Sequence, residues 1–139
     1  MNRSEARCEA FKLAFQITAQ KESYPEVVEL FEEENQALKK SDKKQYLYIV
    51  STANGIYEKR DALDEAISRN LKSGWRTERL SKVSLAVLRL AAYELLYADD
   101  IPDNVAVNEA VELAKEYDIE EAPSFINGVL SGIVKEKRG

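Results

Sequence analysis

The sequence contains no histidine, which removes the commonest general base and the commonest metal ligand together. Its single cysteine, Cys8, cannot build a thiolate metal site alone, and no imidazole stands by to activate it as a nucleophile. Cys8 therefore reads as a small residue packed at the edge of a helix. Neither G-x-x-x-x-G-K nor G-x-G-x-x-G occurs, so no glycine-rich phosphate loop is expected. The acidic pairs Asp99-Asp100 and Glu120-Glu121 lack the alternating spacing of a calcium loop. No catalysis, cofactor or metal is expected.

Three features still carry chemistry. Arg3 and Arg7 stand four residues apart and share one helix face, where they can contact phosphates or form a solvated terminus. Arg89 lies in the most apolar run of the chain, where an unpaired charge is costly, so a carboxylate from the Glu109 to Glu116 segment is its expected partner. The third is "SFINGVLSGIVKEK", in which Asn127-Gly128 and Gly132 interrupt an apolar helical stripe, although each glycine costs a helix interior about 1 kcal/mol relative to alanine. At about 100° per residue, Gly128 and Gly132 align on one flank, which predicts a flat surface for close helix packing.

The elements that must position these residues follow from periodicity. Aliphatic and aromatic residues make up 45% of the chain and only five glycines and three prolines interrupt it, a balance that favours long helices over a sandwich or barrel. Ser4 is the expected cap of a first helix carrying Ala6, Ala10, Leu13, Ala14 and Ile17 on one face. "SYPEVVELFEEENQALKK" and the run from Lys43 to about Leu71 each predict one helix, with Gly55 a kink or a close-packing point in the second. A short helical segment spans residues 76–80, and the run from Val83 to Tyr97, apolar nearly all round, predicts the central helix of the core. "VAVNEAVELAKEY" and the glycine-bearing segment close an all-α domain of about seven helices.

The net charge of −5 argues against a surface that is basic throughout, though not against a local basic patch. No apolar run approaches the roughly 20 residues that span a bilayer, and Arg3, Glu5, Arg7 and Glu9 occupy the place of a signal core, so a cytoplasmic protein is expected.

The pieces "LRLAAYEL", "IPDNVAVNEAVELAK" and "FINGVL", in this order between Val87 and Ile133, closely resemble the C-terminal half of the NusB family of bacterial transcription antitermination factors. A "GW-x-x-x-RL" segment precedes them, whereas the N-terminal third resembles the family only in outline. The resemblance implies two side-by-side three-helix bundles, about residues 1–73 and 74–139, in a stand-alone factor of one NusB-like domain. It implies binding to a short single-stranded RNA element, boxA, with the small ribosomal subunit protein NusE. Both are loaded onto RNA polymerase in an antitermination complex that supports processive synthesis of ribosomal RNA.

Carried over by position, the RNA contacts are Arg3, Arg7, Glu121, Ser124, Phe125 and Asn127, with the first turn of the last helix expected beside the first helix. The NusE contacts are Glu78, Lys82, Ser84 and Arg89, with Ser84 standing where the family commonly has an acidic residue. Glu5 and Glu9 dilute the arginine cluster with which the family usually begins. The alternative is a non-enzymatic protein-interaction module that has lost strong RNA binding, and a homodimer through the NusE surface remains open.

Overall fold

The computed structural model describes residues 1–20, 23–72 and 75–139. Among them the chain forms eight α-helices, a 3-10 turn and no strand. The helices are α1 (Arg3–Ala19), α2 (Tyr24–Glu34), α3 (Gln36–Ser41), α4 (Lys43–Glu58), α5 (Arg60–Arg69), α6 (Lys82–Tyr97), α7 (Asp103–Tyr117) and α8 (Ala122–Arg138), with the turn at Thr77–Arg79. Gly74 of the "GW" pair lies outside the described residues.

The apolar stripes set the packing. Helices α1, α2 and α4 pack on one another, as do α6, α7 and α8, and the two groups lie side by side through α1 against α6. Ala86, Val87, Leu88, Leu90, Ala91, Ala92 and Leu95 are all buried along α6, as expected of a helix with neighbours on several sides. Helix α5 packs on α6 and α8 as well as α4.

Local chemistry differs from expectation at three places, and at Gly55 it decides between two expectations. The cap of α1 is Asn2, not Ser4: Asn2 accepts from the Glu5 N–H at 2.8 Å and its own N–H donates to Glu5 Oε1 at 2.8 Å, a reciprocal box that starts the helix at Arg3. The second predicted helix divides at Asn35, whose side-chain amide takes the Phe31 carbonyl at 2.7 Å in competition with the helical ladder. The run from Lys43 divides at Lys59 into α4 and α5. Gly55 is a close-packing point, since a Cβ there would collide with the Tyr93 ring.

The glycines of α8 part company. A Cβ on Gly132 would run into the side chain of Asn70, which is held by bonds to Ala66 O (3.0 Å) and Glu136 Oε1 (2.7 Å) where α5 ends against α8. Gly128, however, has open space where its Cβ would stand, so the expected flat packing flank extends to Gly132 alone.

Candidate nucleic-acid interface

The Asn2 box fixes the first turn of α1 and with it the directions of Arg3 and Arg7. Arg7, which follows Ala6 into the core, is 3% exposed, and its Nε donates to Glu94 Oε1 at 2.9 Å while Nη1 donates to Glu109 Oε1 at 2.7 Å. Glu94, from the penultimate turn of α6, is 1% exposed, and its second oxygen accepts from the Tyr48 hydroxyl of α4 at 2.7 Å. Glu109 also accepts from the Ser4 hydroxyl, which explains why that residue is not the helix cap. Among the described residues, every buried polar side-chain atom has a partner.

Burial penalises the charge on Arg7, but the bond and charge of Glu94 outweigh it and hold the guanidinium above its ordinary range. Burial, reinforced by the Glu94 charge, pushes the Tyr48 phenol up, so it remains a donor at neutral pH. Arg3, half-buried, lies on top of this assembly. Its guanidinium carbon is 4.0 Å from the Tyr48 ring centroid, and Nε donates to Gln45 Oε1 at 2.8 Å. The two arginines of one helix face thus have different environments. Arg7 is enclosed by carboxylates, and Arg3 caps a tyrosine ring at the surface.

The first turn of α8 presents Glu121, Ser124, Phe125 and Asn127 to solvent. Phe125 (38% exposed), Ile119 (68%) and Trp75 (53%) border an apolar groove whose rim includes Lys72, Arg79 and Glu121. Ser84 lies at the buried side of the same groove, where its hydroxyl donates to Asp118 and its N–H donates to the Ser81 cap at 3.0 Å. Glu121 and Phe125, assigned to RNA, and Ser84, assigned to the protein partner, therefore share a groove.

The two ends are not adjacent. Helix α1 packs on α2, α4 and α6, while α8 packs on α5, α6 and α7, so α6 lies between them. Arg7 is tied to Glu94 near one end of α6, and Ser84 and Phe125 lie at its other end. The ten residues from Ser84 to Glu94 correspond to about 15 Å of helix at 1.5 Å per residue. The first turn of α8, expected beside the first helix, thus does not lie next to Arg3 and Arg7, and it is the end of α7, through Tyr117, that touches α1 at Cys8 and Phe11.

Glu78, Lys82 and Arg89 line a separate polar recess with Thr18, Arg60 and Asp64. Arg89 forms a two-pronged pair with Asp64 of α5, at 2.7 and 2.6 Å, and donates to the Thr18 hydroxyl at 3.1 Å. Its partner thus comes from α5 and not from α7, whose Glu109 is taken by Arg7. Trp75, Lys72 and Tyr48 were not among the sequence candidates. A lone tryptophan before a charged segment was the available signal for the first.

Cys8 is half-buried with its sulfur 3.1 Å from the Tyr117 hydroxyl. No group of three or more potential ligands able to hold a metal occurs among the described residues. Nor is any helix among them long and apolar enough to cross a membrane.

The NusB family model matches residues 4–135. The transcription antitermination protein NusB of Clostridium novyi is 39% identical over 97% of this chain and 99% of its own length. That of Ruminiclostridium cellulolyticum is 44% identical over 97% of this chain and 90% of its own. Among solved structures, T. maritima NusB superposes with a TM-score of 0.85 at 37% identity, covering 98% of this chain and 92% of that one. A crystal structure of the antitermination factors NusB and NusE in complex with dsRNA gives 0.80 at 28% identity, covering 98% and 99%.

Proposed function

Because the chain belongs to the NusB family, we propose that it is a transcription antitermination factor that binds boxA-type single-stranded RNA together with NusE and supports processive transcription of ribosomal RNA operons. The observation that carries the reading is the likeness over nearly the whole chain to a NusB captured with NusE and dsRNA, single-stranded boxA being what the family resemblance adds. The RNA polymerase antitermination complex, in the cytoplasm, is its proposed place of action.

Within this reading Arg3 contacts RNA phosphates directly, being the arginine offered at the surface. Arg7 supports it from beneath by fixing Glu94 and, through Glu94, the Tyr48 ring on which Arg3 rests. Glu121, Ser124, Phe125 and Asn127 supply base contacts at the other end of α6, with Phe125 as stacking surface. Glu78, Lys82, Ser84 and Arg89 form the NusE side. Since the Ser84 hydroxyl is bonded to Asp118, Asp118 supplies the negative charge that the family commonly carries at the position of Ser84.

The test is fluorescence anisotropy with labelled boxA RNA, with and without NusE, at two salt concentrations. RNA affinity is expected to fall with salt and to rise with NusE. Absence of both RNA and NusE binding at low salt would refute the reading. The burial of Arg7 favours a second reading, a protein-interaction module without strong RNA binding and able to pair with itself through the NusE surface. Binding of NusE with no affinity for RNA, or self-association by sedimentation, supports that alternative.

A further inference from the structure

A valley runs between the outer face of α4 and the last turn of α6. Arg3 and Lys44 line it with Leu47, Tyr48 and Tyr97, and Glu94 and Asp100 place two carboxylates on the same walls. Neither Lys44 nor Tyr97 belongs to the RNA or NusE residues assigned above.

The corner between α3 and α4 is basic within an acidic protein, and Lys44 is its one lysine that lines the valley. In a protein of net charge −5, α3 ends on the exposed Lys39 and Lys40 and α4 begins on the exposed Lys43 and Lys44. The carboxylate between them, Asp42, is already engaged, accepting from the Gln45 N–H and holding the terminal ammonium at 3.3 Å. The ion pairs of the described residues include none of the four lysines. Lys43 and Lys44 also lie in the first turn of α4, which holds no acidic residue. A cation at the positive end of a helix opposes its dipole, so these lysines stabilise neither the helix nor a neighbouring carboxylate.

The valley is also aromatic. Tyr97 is exposed, its ring 5.8 Å from that of Tyr93, and Lys59 Nζ is 5.3 Å from its centroid. Two cations and an exposed ring on the walls of one recess match single-stranded nucleic acid, in which a phosphate precedes a base free to stack. Of the two carboxylates on these walls, Glu94 is paired with Arg7 and Asp100 repels a phosphate. A base-paired nucleotide has no free face to lay on Tyr97.

We propose that this valley is a nucleotide subsite in which Arg3 and Lys44 hold an RNA phosphate and Tyr97 stacks an unpaired base. The proposal rests on the RNA-binding reading given above and adds a second contact region to it, on α4 and α6.

The experiment uses the full chain with NusE and a labelled boxA RNA bearing single-stranded extensions on both sides, titrated by anisotropy at several salt concentrations. Lys44→Ala should weaken binding three- to tenfold and reduce the slope of log affinity against log salt by about 0.7, the value for one single-strand phosphate contact. Tyr97→Ala should weaken binding about fivefold or more with the slope unchanged, and Tyr97→Phe should restore it. Asp100→Asn should tighten binding about twofold. Thermal melts of each variant should match wild type, showing that these exposed substitutions leave the fold intact. If wild type binds and Lys44→Ala and Tyr97→Ala match it in affinity and slope, the subsite is overturned while the RNA-binding reading stands. If wild type binds no RNA, both fall together.

Discussion

Arg7 offers the sharpest test of the interface, because a buried ion pair and a phosphate ligand respond to truncation in opposite ways. Replacing it with alanine leaves Glu94, 1% exposed, without the guanidinium that donates at 2.9 Å, and frees Glu109 of a second bond at 2.7 Å. Tyr48 alone then solvates the buried carboxylate. Removing one partner from such a pair costs about 3–5 kcal/mol. With a urea m-value of about 2 kcal/mol/M, the midpoint should fall by roughly 1.5–2.5 M. The double variant Arg7→Met/Glu94→Met removes both charges at similar volume and should recover more than half of that loss, because apolar replacement of a buried pair is often neutral. Equilibrium unfolding by circular dichroism reads both. A loss below about 1 kcal/mol for Arg7→Ala with a large drop in RNA affinity would refute the reasoning and make Arg7 a direct ligand.

Other outcomes follow from the same geometry. Gly128→Ala should raise stability by about 0.5–1 kcal/mol, since its Cβ enters open space in a helix interior, whereas Gly132→Ala should lower it by about 1–3 kcal/mol through collision with Asn70, both read by thermal melting. Arg89→Lys should fail to replace the two-pronged contact with Asp64 and lower the melting temperature by several degrees, an effect that disappears in an Asp64→Asn background. Asp103 of α7 is held below its ordinary pKa of 3.8 by the bond from Lys137, then by that charge and by Arg138. A depressed carboxyl stabilises the fold above its unfolded pKa and loses that contribution as pH falls through the folded one. Asp103→Asn should therefore flatten the acid limb of stability below about pH 5, by an amount kept small by the exposure of both cations.

The fold was largely legible in the chain because helical periodicity is a local property. The stripes of α1, α6 and α7 and the apolar character of α6 need no knowledge of their neighbours. The breaks at Asn35 and Lys59 escaped notice because apolar spacing continues across them, and only a side-chain amide or a change of packing partner marks the division.

The interface was legible in residue type and not in arrangement. Sequence alone established that the chain is helical, lacks histidine and a phosphate loop, and carries two arginines on one face near its start. Only the tertiary structure decided that Arg7 turns inward to carboxylates 87 and 102 residues away while Arg3 remains at the surface on Tyr48. The same holds for Arg89, whose partner comes from α5, and for the two ends of α6 that hold the candidate contacts apart. The physical reason is that the energy of a charge depends on burial and on partners brought near by chain topology, and neither is encoded in the spacing of residues along one helix.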